Sequence, residues 1–436
     1  MSVRLNREIL SLAIPSIITN ITTPLLALMD VAIVGHMGDA SYIAAIAVGG
    51  TVFNMIYWLF AFLRMGTSGM SAQAHGAGDT HELDLVLARG MLVALTASVL
   101  IILLSPLISM AAFSIMDVSG DVEQMAGRYF SILVWGAPAV LSTYTLSGWA
   151  LGRKNPKTPM WVSFIINIGN IIVSVVLVYL FGLKIEGVAI GTLSAQWLGA
   201  VSFMVIVVRK YHPQLPALRE ILQHNAIRRF FSVNADIFLR TCCLIAVTVW
   251  FTRVGSMQGV TVLAVNTLLL QFFILFSYFM DGFAFAGESL CGNCLGASDR
   301  TLLHRCIRAL LRWGAGVAVI FTVIYYICGE WIMHLLSSDT SVIDASKEYF
   351  DWVLLIPIVG FLAFTWDGVY IGITRTREML MSMFSSTVIY FVLFAILYPR
   401  IGNHGLWIAF LSYLLLRGIV LHLFSRRVER KIFLDK

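Results

Sequence analysis

A single carboxylate, Asp30, interrupts the apolar stretch LLALMDVAIVGHMG at residues 25–38. A carboxylate among apolar residues costs free energy unless it meets a partner or a cavity, and burial favours its neutral form. Such a group can take up and release a proton. Asp30 is therefore a candidate site for a proton or cation, and the alternative is a structural hydrogen bond to a neighbouring helix.

Further polar side chains lie in two later apolar stretches. Asn167 and Asn170 are three residues apart in NIGN, on one face of a predicted helix, and Ser174 follows one turn later. Thr192 lies in the next apolar stretch. If these helices meet the helix of Asp30, the four side chains can hydrogen-bond to its carboxylate. Ordinary polar contacts between helices would give the same pattern.

Two prolines, Pro15 and Pro24, precede Asp30 in the same predicted helix. Proline lacks the N–H that continues the helical hydrogen-bond ladder, so it favours a kink. A titratable acid beside a kink-prone segment indicates a switch, in which the charge on Asp30 changes the bend of the first helix.

The second half of the chain contains more charges within apolar stretches. They are Asp236 and Arg240 at i and i+4, Asp281 and Glu288 at i and i+7, and Asp367. Their opposite signs on shared faces predict a buried polar network. Arg240 is expected to be structural because arginine stays protonated, whereas a carboxylate can exchange a proton. Glu288 lies far enough toward one end of its stretch to be hydrated instead.

The elements that carry these residues are membrane helices. The 436 residues are 59 % hydrophobic and 12 % charged, and the mean hydropathy is +0.85. A membrane helix needs roughly 20 apolar residues, and the sequence contains twelve such stretches. Their long, continuous apolar runs exclude a β-barrel, which alternates apolar and polar residues. The fold class is therefore all-α and integral to the membrane.

The distribution of Lys and Arg predicts the orientation in the membrane. Basic residues concentrate in alternate loops, which become cytoplasmic if the N-terminus is inside. An even number of helices then places both termini in the cytoplasm, and a bacterial cytoplasmic (inner) membrane is expected. The net charge of +6 favours membrane lipid over nucleic acid as a partner. No cleavable signal peptide is expected.

The sequence contains no pattern typical of an enzyme or a metal centre. Cys291 and Cys294 form a CxxC without a second pair, so neither a metal nor any other cofactor is expected. A GxxxxGK[ST] phosphate loop is absent, which argues against ATP hydrolysis. An intramembrane enzyme would need a nucleophile with a base, or a motif such as HExxH, and no catalytic residue of this kind is found.

An internal repeat divides the chain near its middle. GAGD and GASD match at an offset of 220 residues, as do the glycine pair at 148 and 152 and the pair at 368 and 372. GVAIGTLS and GLWIAFLS match at 218, and Arg64 matches Asp281 at 217. These matches predict two six-helix lobes, residues 1–209 and 230–436, joined by a cytoplasmic linker at 210–229. Two parallel bundles of this kind commonly have a substrate path near their interface.

Several stretches together resemble multidrug and toxic compound extrusion (MATE) transporters, and within them the DinF branch. They are NITTPLLALMDVAIVGHMG (20–38), FLRMGTSGMSAQAHGAGD (62–79), NADIFLR (234–240), MDGFAFAGE (280–288) and WDGVYIGITRTREM (366–379). The resemblance implies a V-shaped molecule of two pseudo-symmetric six-helix lobes. It also implies export of cationic or amphipathic organic compounds, driven by entry of H⁺ or Na⁺, in a protein that is not an enzyme.

The resemblance also assigns roles to residues in the first lobe. It matches the family's first-helix acid to Asp30, its first-helix proline to Pro15, and its polar positions in the fifth and sixth helices to Asn167, Asn170 and Thr192. Related sequences often have an aspartate where this chain has Ser174. A single carboxylate makes a weak Na⁺ site, since a hard cation prefers several oxygen ligands. The resemblance therefore favours H⁺.

Sodium remains an alternative because of the second lobe. There Asp236 and Asp367 lie in helices where other branches of the family place cation-binding acids. A third alternative is a lipid or lipid-linked oligosaccharide flippase of the same superfamily. We would expect more cationic residues in the cavity of such a flippase, and only Arg64 and Arg240 are candidates.

The substrates implied are small, often cationic, drug-like molecules, and the transporter is expected to be a monomer. Aromatic and methionine side chains adapt to varied apolar cations. The substrate-cavity candidates are Met29, Phe53, Tyr57, Trp58 and Tyr144, for each of which packing in the core or against lipid is an equal alternative.

Overall fold

The computed structural model describes residues 3–35, 40–116 and 120–434. In this part of the chain all regular elements are helical, and twelve helical spans are long and apolar enough to cross a membrane. The predicted all-α membrane fold with twelve transmembrane helices is thereby confirmed. The protein is a multi-pass membrane protein.

Nine α-helices lie in the first half of the described chain. They are α1 (Val3–Gly35), α2 (Ala40–Leu59), α3 (Phe62–Gly76), α4 (Thr80–Ile115), α5 (Gly120–Leu133), α6 (Ala137–Gly152), α7 (Lys157–Val175), α8 (Ile185–Tyr211) and the short α9 (Leu218–Ile221). A 3₁₀ turn joins α5 to α6, and a π-helical turn extends α7. The helices α5 and α6 together form one span, and α2 and α3 together form another.

Seven helices follow. They are α10 (His224–Met257), α11 (Val260–Gly296), α12 (Arg300–Leu336), α13 (Thr340–Lys347), α14 (Phe350–Gly372), α15 (Thr376–Ile401) and α16 (Asn403–Leu434). The short α13 lies between two spans, and each of the others forms one span.

The chain forms two compact units. The N-unit is Ile18–Asn234, and the C-unit combines the residues up to Ile17 with those from Ala235 onward. Both boundaries fall inside a long continuous helix, α1 in one case and α10 in the other. The predicted linker at 210–229 comprises the end of α8, a loop with α9, and the first turns of α10.

Each unit has its own apolar core. In the N-unit, α3 packs on α6 and α7 packs on α8, with a core that includes Phe53, Phe130 and Leu141. In the C-unit, α11 packs on α14 and α15 on α16, around a core rich in aromatic rings such as Phe272 and Trp407.

Within each unit, a glycine allows two helices to approach closely, and the two helix pairs are equivalent. A Cβ on Gly152 of α6 would lie 2.7 Å from the backbone nitrogen of Ala72 in α3. A Cβ on Gly372 of α14 would lie 3.0 Å from the backbone nitrogen of Gly292 in α11. The residues of the second contact lie 220 positions after those of the first, so the sequence repeat corresponds to a structural repeat.

Backbone conformation repeats with the same offset. Positive φ angles occur at Lys154 (59°) and Thr374 (52°), and at Gly182 (68°) and Gly402 (57°). Left-handed conformations are rare for residues with a Cβ, so their occurrence at both Lys154 and Thr374 indicates that these two turns are equivalent. With this register, the counterpart of Arg64 is residue 284 and not Asp281.

Candidate functional site

Asp30 lies in α1 of the N-unit and forms hydrogen bonds to both neighbouring helices. Its side chain is buried, with 3 % of its surface exposed. Asn170 of α7 donates from Nδ2 to Asp30 Oδ1 at 3.1 Å, and Thr192 of α8 donates from Oγ1 to Asp30 Oδ2 at 3.0 Å. Asn170 Nδ2 also donates to Thr192 Oγ1 at 2.8 Å, which closes a ring of three side chains. The sequence-predicted residues Asp30, Asn170 and Thr192 thus form one cluster.

The Thr192 hydroxyl has two acceptors within reach for its one hydrogen. Besides Asp30 Oδ2, the backbone oxygen of Val188 lies 3.1 Å away. A hydroxyl can also accept two hydrogen bonds. Thr192 can therefore donate to an ionised Asp30. When Asp30 is neutral, Thr192 can instead donate to the Val188 oxygen and accept a hydrogen bond from the carboxyl O–H of Asp30.

Ser174 lies beside this cluster at the α7–α8 contact. A Cβ on Gly191 would lie 2.9 Å from the Cα of Ser174, so the two backbones meet where Gly191 precedes Thr192. Ser174 Oγ and Asn170 Oδ1 are buried without a hydrogen-bond partner in the described structure. Ser174 therefore sets the packing next to Thr192 and does not hydrogen-bond to Asp30.

Asn167 contacts α1 at a different height from Asn170. Its Nδ2 donates to the backbone oxygen of Thr22 at 3.1 Å, near Pro24. Thr22 Oγ1 also lies 3.0 Å from Ser163 Oγ of α7. The two asparagines therefore join α7 to α1 at two heights, one near Pro24 and one at Asp30.

Both prolines of the predicted bend lie within the continuous helix α1. Pro15 is buried and Pro24 is half-buried. The boundary between the two units follows Ile17, two residues after Pro15. The bend itself stays a prediction.

The aromatic substrate candidates lie mainly in the core of the N-unit. Phe53 stacks on Tyr57 with ring centroids 5.7 Å apart and belongs to the buried core. Tyr57 packs on this core, and its buried hydroxyl has no partner in the described structure. Tyr144 also packs on this core, Met29 is half-buried and Trp58 is exposed. A role in substrate binding stays a prediction for all five.

The charged residues of the C-unit form a cluster that includes one residue sequence reasoning missed. Asp367 Oδ2 in α14 accepts hydrogen bonds from Arg240 Nη2 in α10 and from Arg417 Nη2 in α16. All three side chains are buried. Arg417 interrupts the apolar run SYLLLRGIVL, so the criterion that singled out Asp30 could have found it.

The other predicted members of the network lie apart from this ion cluster. Asp236 Oδ2 accepts a hydrogen bond from Thr376 Oγ1 at 2.9 Å, and its carboxylate forms no ion pair with Arg240 in the described structure. Asp281 is half-buried in α11. Glu288, two turns further along α11, is 1 % exposed, so it is packed inside the unit and the predicted hydration is wrong.

A metal site would need several ligands in one place. In the described ranges no three His, Cys, Asp or Glu side chains lie close enough to hold a metal ion. Cys294 and Cys306 lie with their Sγ atoms 3.8 Å apart, both buried.

The protein family is established by comparison with known proteins. The family model described as MatE matches residues 15–176 and 236–396, one segment in each half. The chain belongs to the MATE family. It is 36 % identical over 423 residues to the DNA damage-inducible protein F of Escherichia coli K12, which covers 95 % of this chain and 91 % of that protein. This similarity confirms the predicted DinF branch.

More distant relatives and solved structures agree with this MATE membership. The chain is 23 % identical over 469 residues to the probable multidrug resistance protein NorM of Thermotoga maritima, covering 99 % of this chain and 95 % of that protein. A MATE crystal structure in a bent conformation has a TM-score of 0.87 at 20 % identity, covering 98 % of this chain and 96 % of that one. The same TM-score holds for a straight conformation at 19 % identity, covering 98 % and 97 %. At these identities the structures establish the MATE transporter fold.

Proposed function

We propose that this MATE transporter exports cationic or amphipathic organic compounds in exchange for protons that bind Asp30. The observation that carries the proposal is the buried ring of Asp30, Asn170 and Thr192, which contains one carboxylate. The similarity to the probable multidrug resistance protein NorM of Thermotoga maritima supports drug-like substrates.

The donor pattern around Asp30 favours a proton over Na⁺. Both carboxylate oxygens accept hydrogen bonds, from Asn170 Nδ2 and Thr192 Oγ1. A sodium ion prefers several oxygen ligands and more than one formal negative charge, and this cluster contains one carboxylate. A proton needs neither condition.

The ring can also accommodate both charge states of Asp30. When Asp30 is ionised, it accepts from Asn170 and Thr192. When Oδ2 carries a proton, Asp30 donates to Thr192 Oγ1, and Thr192 turns its hydrogen to the backbone oxygen of Val188. One hydrogen bond reverses, and no buried donor is left without an acceptor, which would be costly.

The proposed cycle links this change of charge to the shape of the N-unit. A proton from outside neutralises Asp30, which weakens its charge-assisted hydrogen bonds to α7 and α8. The α1 helix then bends near Pro15, the cavity of the N-unit shrinks, and the substrate leaves outward. The proton is released toward the cytoplasm. Substrate and proton must favour different conformations, since otherwise the proton gradient does no transport work.

One solved MATE structure is described as bent and another as straight, which supports a change of shape within the family. In this chain the kink-prone element is the long helix α1, which contains Pro15 and Pro24.

We further propose where the transporter works and with what partners. It lies in a bacterial cytoplasmic membrane with both termini in the cytoplasm, surrounded by lipid, and acts as a monomer without a cofactor. Its functional lobes are residues 1–209 and 230–436. Tyr57 and Tyr144, which are half-buried, supply aromatic surface for apolar cations, since ring faces attract cations.

Transport in liposomes tests the coupling ion. Purified protein is reconstituted, and ethidium flux is measured with an imposed pH gradient or an imposed Na⁺ gradient. We expect flux to follow the pH gradient. Flux that follows Na⁺ and ignores pH would refute the proton proposal, and flux independent of both gradients would refute antiport.

A matched pair of variants tests the role of Asp30. Asp30→Asn removes the titratable group and should abolish gradient-driven flux, while elution as a single species and thermal unfolding remain near wild type. Glu123→Gln removes an exposed carboxylate in α5 of the same unit and should transport normally. Unaltered efflux by Asp30→Asn would reduce Asp30 to a structural group.

A further inference from the structure

The C-unit contains a buried pair of arginines that share one carboxylate. Arg240, Asp367 and Arg417, here called the two-arginine site, come from three different helices and are 7 %, 5 % and 3 % exposed. Both guanidinium groups donate from Nη2 to the same oxygen, Asp367 Oδ2.

The formal charges of this site do not cancel. Arginine remains protonated, so two positive charges face one negative charge. Asp236, one turn before Arg240 in α10, interacts instead with Thr376 Oγ1 at 2.9 Å. Among the described residues, Asp367 is the single carboxylate that forms an ion pair with either arginine. A buried excess charge is costly unless another ion compensates it.

Several donors of the site have no acceptor. Arg240 Nε and Arg417 Nε are buried and lack hydrogen-bond partners in the described structure. On α15, which packs against α16, the hydroxyls of Ser386 and Tyr390 are likewise buried without partners. The Tyr390 ring lies 6.3 Å from the ring of Tyr413, one turn before Arg417. A bound anion would receive hydrogen bonds from the two guanidinium groups.

The fold does not require charges at these positions. At the 220-residue offset, the counterpart of Asp367 in the N-unit is Ser147, and the equivalent helix α6 packs without a charge there. The counterpart of Arg417 is Trp197 at the same offset, or Gly199 at the offset of 218. A structural need common to both units therefore does not explain the two arginines.

We propose that the C-unit binds the carboxylate of an organic anion at Arg240 and Arg417. A guanidinium presents parallel N–H groups that match a carboxylate, as the contacts with Asp367 illustrate. The Phe364 ring lies 5.5 Å from the Arg417 guanidinium, and Phe364, Phe410 and Tyr413 belong to one buried core. These rings suit an aromatic or alkyl group attached to the carboxylate. Asp367 Oδ1, also without a partner, can accept from a donor on the ligand.

This site extends the proposed function to amphipathic compounds that carry a negative charge. It does not depend on proton binding at Asp30, since all of its residues belong to the C-unit. Binding of the anion and coupling of transport can therefore be measured separately.

Calorimetric titration of the purified full-length protein with benzoate tests the proposal. Benzamide has the same shape without the charge and is the control ligand. We expect saturable binding of one benzoate per protein and no binding of benzamide. Equal signals from both ligands, or a benzoate signal that does not saturate, would overturn the proposal.

Substitutions with opposite expected effects separate binding from a structural ion pair. Arg417→Gln removes one donor fork and should raise the benzoate Kd about tenfold. Asp367→Asn removes the competing carboxylate and should lower the Kd about tenfold. A structural ion pair predicts instead that both variants lose thermal stability and that neither shifts the Kd in these directions. That result would contradict an anion site.

Control variants keep the test decisive. Arg253→Gln changes an exposed arginine of α10, the helix of Arg240, that lies over the ring of Trp250, and it should leave the benzoate Kd unchanged. If Arg417→Gln does not fold, Arg240→Lys keeps the charge but loses the fork and should raise the Kd severalfold; an unchanged Kd would overturn the proposal. Asp30→Asn should bind benzoate like the wild type while losing proton-driven ethidium flux, so the two proposals can fail independently.

Discussion

Gly148 and Gly368 occupy equivalent places in the two units, 220 residues apart. A Cβ on Gly148 would collide with the Arg64 carbonyl oxygen in α3, and one on Gly368 would lie 2.6 Å from the Cα of Ala284 in α11. In both cases the neighbour is backbone, which cannot turn aside as a side chain can. The repeat is therefore conserved between the units as a close helix contact, even where the surrounding side chains differ.

Replacing either of these glycines should destabilise its unit. Gly148→Ala and Gly368→Ala each force two helices apart, at a cost of about 1–3 kcal/mol. Thermal unfolding of the purified protein should show a lower Tm for both variants. Gly50→Ala and Gly316→Ala are the controls, since a Cβ there would meet nothing within 4 Å. Equal effects at all four positions would contradict the close-contact explanation.

The Thr192 hydroxyl should be essential to the proton site. Thr192→Val keeps the shape but removes the hydrogen bonds to Asp30 and Asn170, which costs about 1–3 kcal/mol in a buried site. We expect proton-driven ethidium flux to fall about tenfold. Thr192→Ser retains the hydroxyl and should restore most of the flux. If Val and Ser behave alike, the methyl packing and not the hydroxyl is important.

Gly191 should control the position of Thr192. A Cβ at Gly191 would lie 2.9 Å from both the Cα and the backbone nitrogen of Ser174, so Gly191→Ala must separate α7 from α8. Thr192 then moves away from Asn170 and Asp30. We expect a loss of gradient-driven flux of about tenfold, with the Gly50→Ala variant as the control in the same unit. Normal flux would show that the hydrogen-bonded ring tolerates displacement.

Most of the architecture could be predicted from the sequence because the membrane leaves few choices. Long apolar stretches must be helices, so the twelve spans follow from their length and composition. The repeat was visible at glycine pairs and turn residues, because these positions tolerate little change. The match of Arg64 to Asp281 is wrong by three residues, because apolar stretches of similar composition can be aligned in several registers. Helix packing fixes the register, and composition does not.

The candidate sites could be predicted in part. Asp30, Asn170 and Thr192 were found because a polar group in an apolar span has a cost that requires a reason. The partner of each group could not be predicted, since helical spacing specifies a face but not the helix opposite. Asp236 and Arg240 share a face, yet they contact Thr376 and Asp367 on other helices. Arg417 follows the same criterion as Asp30 and shows that every charge within a span needs consideration.

A buried amide pair should stabilise the C-unit. Asn266 of α11 and Asn403 of α16 exchange hydrogen bonds of 2.8 and 2.9 Å, and Trp407 Nε1 donates to Asn266 Oδ1 at 3.0 Å. Asn403→Ala leaves the buried Asn266 Nδ2 donor without its acceptor, at a cost of about 1–3 kcal/mol. Thermal unfolding should show a lower Tm. Asn225→Ala, at an exposed site in α10, should have no effect.

Pro15 should set the rate of the proposed bend in α1. The ring nitrogen of Pro15 cannot donate to the Ser11 carbonyl, so this turn lacks one hydrogen bond of the helical ladder. Pro15→Ala supplies the missing N–H and favours a straight helix by about 3 kcal/mol. Proton-driven flux should therefore slow, whereas ethidium should still bind to the purified protein at a fixed pH with a near wild-type Kd.

Pro106→Ala is the matched control for this bend, since Pro106, like Pro15, lies inside a long helix, here α4, but at an exposed position. It should transport normally, because straightening α4 does not move Asp30. Fast flux in Pro15→Ala would mean that neutralising Asp30 acts through α7 and α8 without a bend in α1. Slow flux in both variants would show that helix stiffness in general, and not the segment near Pro15, limits turnover.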